Sequence, residues 1–191
     1  YISKLISKLI HPVKPKEFPY WKVYGVSNQT KSQVKKLLDL GLPKGKKVKR
    51  AEIPKWIINS DINTIKSFIR GFFDTDGCVF CQKNYTKYAK EFESKYHTKI
   101  RIRVSSISQK LIEQTLKLCE KVGFKCVKRT IKRGFKNNRN NNDVYILEIN
   151  ELASIHKWFI KLKPSNPKHT TKYLIWKKYG FCPPYTTIKQ R

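Results

Sequence analysis

The chain has 191 residues, with 42 lysines and arginines against 13 aspartates and glutamates, and a formal net charge of +29. A domain this basic favours nucleic acid as its partner, because neutralising a polyanion releases the counterions around it. No segment is apolar and long enough to span a membrane, and residues 1–10 lack the continuous apolar run of a secretory signal, so we expect a cytoplasmic protein. The lack of methionine predicts a processed, trimmed or excised piece.

The first fifty residues alternate between apolar and proline-rich or basic segments. The apolar pattern predicts a helix over residues 2–10, a strand over residues 20–27 and a short helix over residues 33–40. A lysine-rich loop then extends to residue 50, and we place a domain boundary there.

Helices and pairs of strands alternate in the remaining sequence. An apolar turn over residues 54–58 precedes elements in the order αββαββα, with one more helix at the end. Their predicted bounds are 62–74, 78–84, 98–105, 108–122, 124–132, 143–149, 151–162 and 168–179. Hairpins separated by helices predict an α+β domain, in which helices pack on one face of an antiparallel sheet.

Alternating side chains predict that this sheet has one apolar face and one cationic face, since residues two apart on a strand share a face. The residues expected on the cationic face are Phe80, Gln82, Asn84, Lys99, Arg101, Arg103, Lys128, Thr130 and Lys132. Arginine, lysine, glutamine and asparagine side chains read base edges in a major groove, so these residues are the candidate DNA contacts. The alternative is the solvated surface of a lysine-rich thermophilic protein.

Two of the five cysteines raise the alternative of a zinc site. Cys78 and Cys81 have the spacing of half a zinc site, but no second pair of similar spacing follows. An odd number of cysteines and no secretory signal favour free thiols in a reducing cytosol.

A nine-residue motif overlaps the end of the predicted 62–74 helix. Residues 69–77 read Ile-Arg-Gly-Phe-Phe-Asp-Thr-Asp-Gly, which resembles the LAGLIDADG motif of homing endonucleases. The matching positions are Gly71, Asp74, Asp76 and Gly77. The preceding segments 41–47 and 53–57 resemble the lead into the second motif of the intein-type (DOD) enzymes. The resemblance covers most of the chain from about residue 30.

The resemblance implies a fold and a reaction. In the family, an αββαββα domain presents its antiparallel sheet as a concave saddle to double-stranded DNA. Two motif helices pack side by side, and each delivers an acidic residue to a scissile phosphate. Here that residue is Asp76, an oxygen ligand suited to Mg²⁺, with the Gly77 carbonyl as a second ligand. Asp74 matches a position with a structural role. The expected helix interface consists of Ile69, Gly71 and Phe72.

Two further positions follow from the resemblance. The family uses a lysine near the start of the last helix, which makes Lys168 a catalytic candidate, with His169 beside it. It also uses a polar residue at the end of the second strand, often glutamine or asparagine, where this chain has Ser105 and Ser106.

The chain has one motif, whereas a paired site needs two. We interpret residues 1–50 as the remnant of a preceding half-domain and residues 51–191 as the endonuclease domain. Two copies could pair through residues 62–77, or the chain is a fragment of a two-motif enzyme, or it is a decayed relic.

We therefore predict a site-specific, Mg²⁺-dependent double-strand DNA endonuclease that acts as a homodimer. The alternative is a non-catalytic nucleic-acid binder of the same fold, either an intron RNA maturase or a DNA-binding regulator. A ribosomal or structural RNA-binding protein would explain the charge, but it gives no reason for the Asp-Thr-Asp-Gly element.

Overall fold

The computed structural model describes residues 14–21, 23–25, 27, 30–42, 49–82, 98–133, 135–136, 139–140, 142–183 and 186–191. The chain divides into two compact units, Tyr1–Gly45 and Lys46–Arg191. The predicted helix over residues 2–10 and the candidate DNA contact Asn84 lie outside the described residues.

The first unit contains a short hairpin and a helix. Strands β1 (Lys16–Phe18) and β2 (Val23–Gly25) pair in antiparallel fashion across a 3-10 turn at Pro19–Trp21. Helix α1 (Lys31–Asp39) follows. The sequence predicted a single strand over residues 20–27, but the proline begins a turn there because its φ angle is fixed.

The second unit is an α+β domain. Its elements are α2 (Lys55–Ile58), α3 (Ile62–Asp76), β3 (Gly77–Gln82), β4 (Lys99–Ser106), α4 (Gln109–Lys121), β5 (Val127–Ile131), β6 (Phe135–Lys136), β7 (Arg139–Asn140), β8 (Val144–Ile149), α5 (Leu152–Leu162) and α6 (Pro167–Tyr179). The predicted αββαββα order from α3 to α5 is confirmed, apart from the small β6–β7 hairpin in the segment predicted to be a loop.

The sheet has the strand order β3-β4-β8-β5, and all neighbouring strands are antiparallel. One face is largely apolar, and α3, α4 and α5 pack against it. Its buried side chains are Val79, Cys81, Ile100, Ile102, Val104, Leu147 and Ile149. Helix α6 covers the outer edge of β3, where the Lys172 ammonium donates to the Val79 carbonyl at 3.0 Å.

Local sequence sets both ends of α3. Asp61 caps the first turn, because its carboxylate accepts from the backbone N–H groups of Asn63 and Thr64 at 2.7 and 3.2 Å. A bond from the Thr64 hydroxyl and these backbone bonds lower the pKa of Asp61. At the other end the helix runs directly into β3, and the Gly77 N–H donates to the Phe73 carbonyl.

We predict that Gly77→Ala lowers the free energy of unfolding by about 1–3 kcal/mol, measured by urea denaturation. A Cβ at Gly77 would lie 2.2 Å from Phe73 Cδ2 and 2.4 Å from the Phe73 carbonyl oxygen. The backbone there is extended, so the position requires space and not an unusual φ angle. Gly71→Ala is the control, because a Cβ there meets nothing within 4 Å. Equal losses in the two variants would contradict the prediction.

Candidate nucleic-acid interface and catalytic carboxylate

The sheet face that points away from the helices is rich in charge. Opposed residues in an antiparallel sheet point to the same side, and the register sets Arg103 opposite Glu148 and Glu148 opposite Val127. The described residues on this side, which we call the cationic face, are Cys78, Phe80, Gln82, Lys99, Arg101, Arg103, Ser105, Val127, Arg129, Ile131, Val144, Ile146 and Glu148. Four of these residues are basic and one is acidic, so the face is positive.

Glu148 lies at the centre of the cationic face and its side chain is only 1% exposed. One carboxylate oxygen accepts from Arg101 Nη1, and the other accepts from Arg103 Nε and Nη2 at 3.2 and 2.8 Å. Arg129 Nε lies 3.6 Å from Oε1. A buried carboxylate needs such partners, because burying an unpaired charge is costly.

The environment of Glu148 keeps it ionised. Burial works to raise the pKa of its carboxyl, but the hydrogen bonds and positive charges of Arg103 and Arg101 outweigh burial and leave the pKa below its ordinary value. One anion among three cations leaves an excess of positive charge for a polyanion. Sequence reasoning missed Glu148, although the alternation along β8 places it on the side opposite Leu147.

The structure corrects the predicted role of Arg101. The sequence placed this residue among the DNA contacts, but it is 9% exposed and Glu148 holds its guanidinium. Arg101 therefore supports the buried carboxylate and does not project from the sheet. Phe80, Gln82 and Lys99 lie on the cationic face, as the sequence predicted, with Lys99 exposed.

The sequence assigned the side chains of β5 to the wrong faces of the sheet. Lys128 and Thr130 lie on the helix side of the sheet, and the Lys128 ammonium binds Glu113 of α4 at 2.6 Å. Lys132 follows the end of β5. Arg129, which the sequence reasoning omitted, is the basic residue of this strand on the cationic face. All five residues of β5 are exposed, so burial of apolar side chains does not determine how this edge strand faces.

Asp74 joins the end of α3 to the start of α6. Its carboxylate accepts from the Ser165 hydroxyl at 2.7 Å, from the Ser165 N–H at 3.0 Å and from the Asn166 N–H at 3.3 Å. The Asn166 side-chain amide donates back to the Asp74 carbonyl at 2.6 Å. The same Asn166 caps α6 through its Oδ1. Asp74 therefore has a structural role.

Asp76, two residues later, is exposed at the last position of α3. Among the described residues its carboxylate accepts one hydrogen bond, from Thr75 Oγ1 at 2.9 Å, and forms no ion pair. A negative charge at the C-terminal end of a helix is unfavourable, because the helix dipole is negative there. Fold stability therefore gives no reason for an acid at position 76. A role as a carboxylate ligand for a cation would give one.

The two candidates at the start of α6 differ in exposure. Lys168 is exposed and lies two residues after Asn166. Because Asn166 binds Asp74, the start of α6 lies beside the end of α3. No hydrogen bond or ion pair joins Lys168 to Asp76 in the part of the chain that is described. His169 is buried against the Phe73 ring, with ring centroids 4.6 Å apart, and burial lowers its pKa. His169 is thus a neutral core residue.

The predicted helix interface is corrected at one position. Ile69 is 1% exposed and belongs to the core of its own domain, so it is unavailable to a second helix. Gly71 is exposed and Phe72 is half-buried. At 100° per residue these two share a side of α3 with Thr64, Phe68 and Thr75. This outer face of α3 consists of Thr64, Phe68, Gly71, Phe72 and Thr75, with the Phe68 and Phe72 rings stacked 6.0 Å apart.

The cysteine pair does not form half a zinc site. Cys78 lies on the cationic face, whereas Cys81, three residues later on the same strand, points to the helix side. Burial, with a smaller contribution from Cys182, raises the pKa of the Cys81 thiol to about 12. Among the described residues, no group of three or more histidine, cysteine, aspartate or glutamate side chains could hold a metal ion.

We predict opposite roles for the two motif aspartates in stability. Asp74→Ala should lower the free energy of unfolding by about 1–3 kcal/mol, because it leaves the Ser165 and Asn166 donors without their acceptor. Asp76→Ala should change it by less than about 0.5 kcal/mol, or raise it slightly by removing a charge that opposes the helix dipole. Urea denaturation of both variants is the measurement. A larger loss for Asp76→Ala would show that Asp76 is the structural residue.

A family model described as a LAGLIDADG-like domain matches residues 63–162, just over half of the chain. A search of curated proteins gives no match. No helix in the described part of the chain is long and apolar enough to cross a membrane. The matched region contains nearly all of α3, the four-stranded sheet, α4 and α5. With its α+β fold and its motif at the end of α3, the chain belongs to the LAGLIDADG family, which includes homing endonucleases and maturases.

Proposed function

We propose that this chain is a homing endonuclease: a site-specific, Mg²⁺-dependent enzyme that cleaves both strands of duplex DNA as a homodimer. The observation that carries the proposal is the contrast between two neighbouring acids. Asp74 is fully engaged by Ser165 and Asn166, whereas Asp76 is exposed and has no cationic partner among the described residues. A carboxylate kept available at a fixed point beside a cationic surface suits a metal-dependent reaction on a phosphate.

The cationic face supports DNA as the substrate. Cys78, two residues after Asp76, is the register partner of Arg103. A duplex bound along this face would therefore pass the end of α3. The net charge of +29 adds a strong attraction for phosphates that does not depend on sequence.

The outer face of α3 supports pairing of two chains. It presents the stacked Phe68 and Phe72 rings next to Gly71, which offers no side chain to keep a second backbone at a distance. A single chain provides one exposed motif carboxylate. A second copy paired through this face would place another Asp76 near the first, one for each DNA strand.

The residues that would hold Mg²⁺ are Asp76, through its carboxylate, and Gly77, through its backbone carbonyl. Both are hard oxygen ligands, which Mg²⁺ prefers. When bound, Mg²⁺ activates water and stabilises the leaving oxygen. The Thr75 hydroxyl shares its one proton between Asp76 Oδ2 at 2.9 Å and the Gly71 and Phe72 carbonyls at 3.1 and 3.2 Å. The exposed Lys168 would stabilise charge on the phosphate or order a water molecule.

We predict that the wild-type protein cleaves a plasmid library of random inserts in the presence of Mg²⁺, and that Asp76→Asn abolishes cleavage while retaining DNA binding. The substitution keeps the shape of the side chain and removes the charge needed by the metal. Glu120→Gln, at an exposed position on α4, is the charge-matched control and should cleave normally. Equal cleavage by the wild type and Asp76→Asn would remove Asp76 from the mechanism.

Gly71→Ala tests whether two chains pair through the outer face of α3, by two effects of opposite sign. Alanine should stabilise the isolated chain by about 0.5–1 kcal/mol, because it favours the helix more than glycine does. The added methyl group should weaken self-association by about tenfold, since it lies where the second helix would approach. Sedimentation equilibrium gives the association constant, and Asn63→Ala, on the same helix outside the outer face, is the control. Unchanged association of Gly71→Ala would exclude this face as the contact.

A second candidate is a nucleic-acid binder without catalysis, such as an intron RNA maturase or a DNA-binding regulator. It is favoured by Ser105, which is exposed on the cationic face at the strand end where family nucleases often have glutamine or asparagine. Ser106 points to the helix side of the sheet, where its hydroxyl accepts from the Ser108 N–H at 3.0 Å. Tight binding to duplex DNA or intron RNA without cleavage in Mg²⁺ would identify this function.

A further inference from the structure

We infer that Arg103 reads a guanine in the major groove and that Glu148 is its positioning residue, so that one buried acid on the cationic face gives the protein sequence specificity. The inference rests on the proposed DNA-binding function and adds a base-recognition site to it. It concerns selectivity for one base pair, which neither the net charge nor the metal site determines.

Arg103 is held on two sides. Its Nε and Nη2 both donate to Glu148 Oε2, at 3.2 and 2.8 Å. Its guanidinium carbon lies 4.7 Å from the centre of the Phe80 ring, which is a cation–π contact. The side chain is nevertheless 37% exposed. A flexible arginine would lose conformational entropy on binding a base, and these contacts remove much of that cost in advance.

The contacts leave one edge of the Arg103 guanidinium available. Nε and the inner N–H of Nη2 face Glu148, whereas Nη1 has no hydrogen-bond partner among the described residues. The outer edge therefore carries parallel N–H donors from Nη1 and Nη2. Two parallel donors match the O6 and N7 acceptors that guanine presents in the major groove, and arginine to guanine is the commonest specific contact there.

The other two arginines hold Glu148 in place. Arg101 binds Oε1 from a buried position, and Arg129 lies 3.6 Å from the same oxygen. Both carboxylate oxygens are therefore occupied, and Glu148 cannot turn away from Arg103. The hydrogen bonds and positive charges of Arg103 and Arg101 outweigh burial and hold the pKa of the Glu148 carboxyl below its ordinary value, so this arrangement stays charged at neutral pH.

The charge of Glu148 favours a role in specificity. A carboxylate on a surface that binds a polyanion opposes binding, and burial adds a desolvation cost. A face that only attracted phosphates would bind more tightly with glutamine at this position. Orientation of Arg103 is an effect for which the ionised side chain is needed, because a neutral amide binds a guanidinium more weakly.

The experiment is selection of bound sequences from a randomised duplex library without Mg²⁺, followed by affinity measurements on the selected and a scrambled sequence. The variants are Arg103→Lys, which keeps the charge and removes the fork, and Glu148→Gln, with circular dichroism to check folding. Glu113→Gln is the matched control, because Glu113 pairs with Lys128 on the opposite side of the sheet. Because the library contains every base at every position, the selection reveals a base preference at whichever site the protein binds.

The wild type and Glu113→Gln should select the same sequence, with guanine at one fixed position. Arg103→Lys should lose that guanine alone, with a fall of about tenfold or more in the ratio of specific to non-specific affinity. Glu148→Gln should lose the same guanine while binding scrambled DNA no more weakly than the wild type. If Glu148→Gln does not fold, the Arg103→Lys result decides.

An unchanged guanine in Arg103→Lys, or a uniform loss of affinity for all sequences, would overturn the inference by making Arg103 a phosphate contact. Wild-type binding without any base preference would overturn it as well, while leaving the DNA-binding function intact. Failure of the wild type to bind any duplex at low salt would instead refute the proposed function.

Discussion

The position of the exposed acid depends on how α3 ends. Asp74 is bonded to Ser165 and Asn166, which fixes the last turn of α3 against the start of α6. Gly77 allows β3 to begin directly against Phe73 without a connecting loop. Asp76 lies between these two fixed points. Its carboxylate is therefore carried by regular secondary structure, which holds a functional group more precisely than a loop does.

Acidic residues are scarce in this chain, and the structure assigns three of them different tasks. Asp74 stabilises the helix junction, Asp76 is exposed with no described cationic partner, and Glu148 is buried among arginines. An acid near a DNA-binding surface weakens general attraction to phosphates. In the proposed function, Asp76 would bind a metal ion and Glu148 would orient Arg103, and both roles require an ionised carboxylate.

Sequence patterns predicted the element order, the bounds of α3 to within two residues and the apolar face of the sheet, because strong periodicity and caps determine these features. The facing of β5 was not predictable, since its two apolar residues, Val127 and Ile131, are exposed on the cationic face and burial does not set the orientation of this edge strand. The burial of Arg101 and the role of Glu148 depend on the pairing of β4 with β8. These strands are distant in sequence, so only the folded register reveals that contact.

The most direct test of the central claim is a crystal structure of the protein bound to duplex DNA in the presence of Ca²⁺, which binds oxygen ligands and would take the place of the proposed Mg²⁺. We expect two chains on one duplex, with the cationic faces against the DNA. We expect Asp76 of each chain to bind a calcium ion that also contacts a backbone phosphate, at about 2.3–2.6 Å. A complex in which the DNA lies elsewhere, or in which Asp76 is remote from both metal and phosphate, would contradict the claim.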